Sequence, residues 1–501
     1  MQKINYPTEG KLILSIPSFE DGINTIFDPS LTNLKYAKEI HNFGFKDGSL
    51  KNGLGFSDLI KEISSTNEEF DSLNRDLKTL GSIERVFHFY KYNSESNTRD
   101  DKLILIDDDY GLYYINLYDQ NKTIKSLRNI IFTSLPVGVR YRLNGEDVMI
   151  FSSETDNMVV WNGVDLPYEV LDAPKISSMA IHYERLFATV DKEKNSVWFS
   201  DDLDPTNWSV NLDEAGFIEL IDERGALLKV VSFCDYIYIF RENGISRLTA
   251  YGDQSNFAVS NLFVSSGKIY ASSVCVCGDR IIFLASDGLY RFDGVNTTKI
   301  LGNIAKNIKN NNDEKISACY YNGCYYLACN YEFEHHTDYC KDTFFSNAIL
   351  EIDINTYKML NITHGVNVKY LTSFSTDKIE GVIALVNTSN SSEYQMCKID
   401  NSGKYLESNL EKSWISNTSG VSDPNKQKTL KKIYVESRED FVLHIYHDNK
   451  ETALFFNGSS LPIVKRVNIP LYNFSFKINS NSNNPSIKNF KFEFGLANGR
   501  I

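Results

Sequence analysis

The sequence predicts an all-β protein: a seven-bladed β-propeller with an N-terminal arm and a C-terminal β-sandwich. Three observations lead there. Among 501 residues, Tyr and Phe together number 60 while Pro numbers only 11. Aromatic and Ile side chains favour strands, and the frequent Asn, Ser and Gly supply the turns between them. A strand–turn–strand unit recurs seven times through the middle of the chain, and both ends depart from that unit.

Residues 1–80 form the arm and do not fit the repeat. Gly44, Gly48, Gly53 and Gly55 punctuate Phe43 to Leu59, and Leu59 to Arg75 reads as a short helix or a charged loop. The segment is too apolar for disorder. Part of it, Lys11–Ile16 or Phe56–Ile63, is expected to close the ring by pairing with the final blade, which removes an exposed edge. The remainder is expected to reach a neighbouring protein.

Residues 81–405 carry the propeller. The clearest copy runs Ile269 to Val274 as a strand, turns at Gly278-Asp279, continues as Arg280 to Leu284, turns at Ser286-Asp287-Gly288 and closes with Leu289 to Gly294. Six more copies centre on Leu103, Val148, Leu186, Tyr236, Tyr325 and Val382. With Ile281 as the seventh anchor, the mean step is 46.5 residues, within the ~40–50 residues of a propeller blade. A four-stranded blade cannot bury both faces alone, so blades must pack around an axis. The steps vary with loop length, notably over an excursion from Asn330 to Ser346. Tyr236–Phe240, Ile281–Leu284 and Tyr325–Ala328 should be central strands, buried on both faces.

Residues 406–429, polar and containing Trp414, read as a linker. Residues 430–501 return to period-two alternation in six short runs, from Lys432–Val435 to Phe490–Phe494. That pattern predicts a small antiparallel sandwich.

Net charge is −13 with a pI near 5.2, which argues against direct nucleic-acid binding, since a DNA-binding face must be basic. No apolar stretch approaches the ~18 residues of a membrane helix, and no basic-then-apolar leader opens the chain. The Asn-X-Ser/Thr tripeptides at Asn207, Asn361 and Asn457 are then by-products of an Asn-rich composition. The eight cysteines lie mostly in apolar runs, with no C-x-x-C pair, and read as reduced core thiols of a protein made in a cytoplasm.

Asp21-Gly22-Ile23-Asn24-Thr25, followed by Ala37, Asn42 and Gly48-Ser49-Leu50-Lys51-Asn52-Gly53-Leu54-Gly55-Phe56, is similar to the glycine-rich opening of the phage tail and neck protein family. Trp198-Phe199-Ser200-Asp201 with Asp204-Pro205-Thr206-Asn207-Trp208 is similar to its middle, as is the stretch from Gly225 through Phe240-Arg241-Glu242-Asn243-Gly244-Ile245 to Ser286–Gly294. Trp414 leading to Lys432–Val435 follows the family's habit at the start of a sandwich. The resemblance covers most of the chain. It implies a propeller-type virion protein, made in the host cytoplasm, with tail or neck neighbours such as a portal or adaptor in a multi-copy ring. The nearest analogy is to tail-hub or packaged-DNA-stabilisation proteins of short-tailed phages. The C-terminal sandwich departs from that pattern.

Catalytic chemistry finds little support. Ser286-Asp287-Gly288 lacks the tryptophan of sialidase-type turns, and no G-x-S-x-G, H-E-x-x-H or phosphate-binding loop occurs. Asp107-Asp108-Asp109 has the oxygen donors calcium takes, but charge runs are usually solvated turns. Glu334-His335-His336-Thr337-Asp338-Tyr339-Cys340 gathers ligand-type residues, yet adjacent histidines on a strand face opposite ways. The reading is therefore no catalytic, cofactor or metal residue. The alternative function is a carbohydrate- or receptor-binding propeller module that uses exposed Tyr and Trp as sugar platforms.

Overall fold

The structure, a computed structural model, describes residues 11–496 except 24–33, 35, 94–96, 211–214, 303, 310, 338–339, 378, 389–392 and 422. Seven antiparallel four-stranded units follow one another along the chain, and each is a blade of a β-propeller. Blade 1 begins at Ile83–Asn93, blade 2 at Val137–Leu143, blade 3 at Ile176–His182 and blade 4 at Leu227–Phe233. Blade 5 begins at Cys275–Val276, blade 6 at Ser317–Tyr321 and blade 7 at Asn367–Ser375. All seven repeat anchors lie in the second strand of their blades.

Tight turns set the register between first and second strands. Asn144-Gly145 and Asn322-Gly323 both have positive φ, at 51° and 81° and at 47° and 80°, the left-handed geometry that matches strand twist in two-residue hairpins. The second strands are then sealed on both faces. Ile237–Phe240, Ile281–Leu284 and Tyr325–Ala328 are all buried, while Tyr236, expected to be buried with them, is half-buried at the start of its strand. Aromatic rings stitch one blade to the next, with Phe240 against Phe283 at 5.3 Å and Tyr238 against Phe292 at 5.0 Å. Such edge-to-face pairs add about 0.5–1.5 kcal/mol each beyond their buried area.

The ring is closed by the N-terminal segment. Gly55–Asp58 pairs with Gln395–Asp400 as the fourth strand of blade 7. Asp58 then caps the helix Leu59–Ile63 by accepting the Ile60 amide at 2.8 Å. A second helix, Asn67–Thr79, starts at the N-cap Thr66, whose hydroxyl accepts the Glu69 amide at 3.1 Å. Leu59, Ile60, Ile63 and Leu73 pack between blades 7 and 1.

The other N-terminal strands belong to the sandwich. Lys11–Ile16 pairs with Ile487–Leu496, and Ala37–His41 pairs with Lys412–Ser416. Phe43–Lys46 hydrogen-bonds both to Ser49–Asn52 and to the outer strand of blade 6, Met359–His364. The blade 6 sheet therefore runs on, through Ser49–Asn52, Ile487–Leu496 and Lys428–Ser437, to Ile463–Leu471 at its far edge. The facing sheet runs Ala37–His41, Lys412–Ser416, Phe474–Ser480, Phe441–His447, Lys450–Phe456. Phe19 from the arm meets Trp414 edge-on at 5.0 Å in the core between the two sheets.

Several local expectations differ from what is observed. Of the two ring-closing candidates, only Phe56–Asp58 pairs with the last blade, and Leu59–Ile63 is helical. The linker contributes the buried strand Lys412–Ser416. The strand expected over Ile269–Val274 is a single bridge at Ile269 and a 3-10 turn, Ala271–Ser273, before the short strand Cys275–Val276. There the Ser273 hydroxyl donates to the Tyr270 carbonyl at 2.6 Å, a local bond that competes with the ladder. The excursion after Asn330 is a long hairpin, Cys324–Thr337 with Cys340–Asp353.

Candidate functional site

The first strands of all seven blades line an axial channel, a cavity of 1210 Å³. Its charges are answered locally. Lys369 pairs with Glu84 across the seam between blades 7 and 1. The Lys229 ammonium donates to the carbonyls of Ala271 and Val274, at 3.3 and 2.8 Å. Arg85 donates to the Pro136 carbonyl at 2.7 Å. Burial pushes Lys229 and Arg85 below their ordinary pKa and pushes Asp313 above its own, the direction desolvation gives each sign of charge. These groups tie blade to blade.

A smaller cavity of 490 Å³ opens at one mouth of the channel and shares Tyr320 and Ser373 with it. His88 bonds the buried Asp101 at 2.6 Å, and Arg99 bonds the same carboxylate at 3.0 Å. Tyr90 is held between two guanidinium groups, Arg99 at 3.9 Å and Arg140 at 3.7 Å from the ring centre. Two cations that close must occupy opposite faces of the ring, so Tyr90 is not free to stack on a sugar.

A third polar group lies where blade 6 meets the sandwich. His41 Nε2 donates to Glu39 at 3.2 Å, so its Nδ1 accepts from His364 Nε2 at 2.7 Å. Phe333 covers both rings. Burial, with His41 adding to it, pulls His364 down to about 3. Beside it, Asn42 at φ 54° accepts the His364 amide and donates to the Glu411 carbonyl, each at 2.8 Å. One residue thus ties the arm to blade 6 and to the strand leading into the sandwich. Sequence reading picked Asn42 out by resemblance but missed the histidines, which lie 323 positions apart.

The weighed metal candidates fall in two places. Asp107 is buried at the end of Thr98–Asp107 and accepts the Gly111 amide at 2.7 Å, while Asp108 and Asp109 are exposed. It is a hairpin turn with one acid inside, not three solvated ones, and burial raises the Asp107 pKa. His335 and His336 lie on paired strands opposite Asp342 and Lys341. Glu334, Thr337 and Cys340 lie on the same paired strands, and Asp338 and Tyr339 lie outside the described residues. Among the described residues, no three His, Cys, Asp or Glu side chains gather as a metal site.

The Trp198–Trp208 motif is a compact connection in blade 3. Asn207 donates to Asp201 at 3.0 Å, Asp204 caps Thr206 at 2.9 Å, and buried Trp208 donates to the Pro205 carbonyl at 2.9 Å. Among the described residues no helix is long and apolar enough to cross a membrane.

Comparison with known proteins adds little beyond this. No family model matches the chain, and no curated protein matches it. Among solved structures, one of Kluyveromyces lactis Hsv2p aligns over 53% of this chain and 97% of its own at 8% identity and a TM-score of 0.32. A second, Kluyveromyces lactis Hsv2 with complete loop 6CD, aligns over 53% and 98% at 7% identity and a TM-score of 0.30. Likeness at that level carries no argument about what this chain does.

Proposed function

We propose that this chain is a non-enzymatic structural component of a phage virion, part of a tail or neck ring or hub, which works through protein–protein interfaces. The observation that supports it is what the family-like residues do. Ile23 bridges to Ala37, Asn42 ties the arm to blade 6, and Gly55-Phe56 completes blade 7. The first orders the arm itself, and the other two tie it to the C-terminal half of the chain. The result is a propeller and sandwich joined through one sheet, in which Phe43–Lys46 bridges blade 6 at Asn361 and Ser49–Asn52 bridges the sandwich at Ile487. Its partners are other tail or neck proteins, with a portal or adaptor as neighbour, and it is made in the host cytoplasm. Quantitative mass spectrometry of purified particles tests this. Several copies per particle are expected, and absence from particles overturns the reading.

A further inference from the structure

Cys275 stands apart from the other thiols of blades 5 to 7. Burial pushes Cys319, Cys324, Cys329 and Cys397 above their ordinary pKa. Cys275 is instead half-buried in the wall of the axial channel, on the two-residue first strand of blade 5. Lys229 of blade 4 lines the channel beside it, with its ammonium 2.8 Å from the carbonyl of Val274, the residue before Cys275. The hydrogen bonds of Lys229 go to carbonyls, which carry no full charge. Asp313 also weighs on Lys229, but it accepts the Ser272 amide at 3.3 Å and burial raises its own pKa. The positive charge is left to the thiol.

A second thiol stands behind the first. Cys275 and Cys277 share one face of the chain and pack against the same apolar core, while Val276 between them is exposed. Cys277 is fully buried; its thiol donates to the Cys275 carbonyl at 3.5 Å and also bonds the Cys275 side chain. That side-chain bond, with the Lys229 charge, holds Cys275 below its ordinary pKa against the pull of burial. The same bond and burial push Cys277 up. Cys275 is the member that ionises, because the ammonium and the open channel lie beside it and Cys277 faces the core. Reactive thiols occupy such electropositive, partly exposed places, and redox-sensing ones keep a second thiol within reach. Two residues of extended strand separate Cα atoms by about 6.6 Å, inside the ~6.8 Å that a disulfide spans.

We propose that Cys275 and Cys277 form a peroxide-sensitive modification site, reached through the axial channel and activated by Lys229. The Cys275 thiolate attacks one oxygen of hydrogen peroxide. The O–O bond breaks, hydroxide leaves and takes up a proton as water, and the sulfur, oxidised by two electrons, becomes a sulfenic acid. The charge that kept Cys277 protonated is then gone. Cys277 gives its proton to the departing hydroxide as its sulfur attacks that of Cys275; the S–O bond breaks, and a disulfide and a second water form. Two thiols and one peroxide thus give one disulfide and two waters. A chain made in a reducing cytoplasm keeps both thiols free until it meets an oxidant. The site goes beyond the structural role proposed above and stands or falls apart from it.

The experiment treats the folded full chain with a small excess of hydrogen peroxide at neutral pH, blocks the remaining thiols in denaturant without reductant, and reads tryptic peptides by mass spectrometry. The peptide 269–280 carries both cysteines and no other. It is expected to lose two hydrogens before the exposed Cys234 is oxidised, since exposure favours Cys234 and only ionisation favours Cys275. Cys277→Ser should stop at the sulfenic acid, which dimedone traps on Cys275. Lys229→Gln keeps a donor for the two carbonyls and should slow the oxidation about tenfold or more, because a neighbouring cation raises the thiolate fraction by that much. Lys229→Arg should restore the rate. The rate at Cys234 and the unfolding temperature report on the fold of each variant. A peptide that stays reduced while Cys234 is oxidised overturns the inference. So does a bridge from Cys275 to Cys319, or a folded Lys229→Gln chain that oxidises as fast as wild type. Should Lys229→Gln not fold, the order of Cys275 and Cys234 in the wild-type chain decides.

Discussion

Ile282 sits fully buried in the second strand of blade 5, between the neighbouring sheets. Ile282→Asp should cost on the order of 3–5 kcal/mol, because it leaves an unpaired charge in the packed interior; urea unfolding measures it. That residue was legible because alternation of strand and turn in a repeat marks the middle of each blade. Asn42 was not legible in its role. Its side chain joins positions 322 and 369 residues away, and its φ of 54° is one that Asn tolerates better than most residues. Asn42→Ala should cost about 1–3 kcal/mol by leaving the His364 amide and the Glu411 carbonyl without that partner, read by the same unfolding curve. The cysteines give a second check at this level. Cys277, Cys319, Cys329 and Cys397 are buried and Cys234 lies exposed in a turn. Under native conditions a thiol reagent should label Cys234 and leave those four untouched, and under denaturing, non-reducing conditions it should label all eight.

The strand Gly55–Asp58 and the seam of His41 with His364 hold the assembly together in different ways. Phe56 is fully buried in the closing strand of blade 7. Phe56→Ala should cost about 3–5 kcal/mol, measured by thermal or urea unfolding, and should raise hydrogen exchange first in Gln395–Asp400, its paired strand. The seam responds to pH. His364 titrates at about 3 when folded and near 6.5 when unfolded, so the unfolded chain binds more protons between those values and stability falls as pH drops through that window. His364→Gln should flatten the fall in unfolding temperature between pH 6.5 and 4. Pattern alone reads a strand at Lys11–Ile16 or Phe56 but not its partner, since period-two alternation fixes which face is buried and says nothing of which edge is bonded. That is why Lys11–Ile16 was equally credible as a closing strand and lies instead in the sandwich. Trp414 hid another strand inside a polar stretch, because Lys412–Ser416 is only five residues long and carries its polar ends buried.

At the scale of the whole molecule, the arm closes blade 7 and splices the sandwich to blade 6. The interlocking of ends also changes what a truncation tests. Deleting residues 1–50 removes Lys11–Ile16, Ala37–His41 and Phe43–Lys46, three strands of the sandwich, along with Phe19 from its core. It spares Gly55–Asp58, so blade 7 still closes. The sandwich loses its splice to blade 6 and exposes Trp414, Phe476 and Phe490, which pack around Phe19 directly or through one another. The truncated chain should therefore keep a folded propeller from residue 55 to about residue 400 and lose protection beyond it. Limited proteolysis followed by mass spectrometry checks this: rapid cleavage throughout 412–496 with a resistant propeller core is expected, and a truncated chain as resistant as the full one over 412–496 would show that the sandwich does not need its N-terminal strands. In a phage, the same deletion should abolish incorporation, but by unfolding a domain.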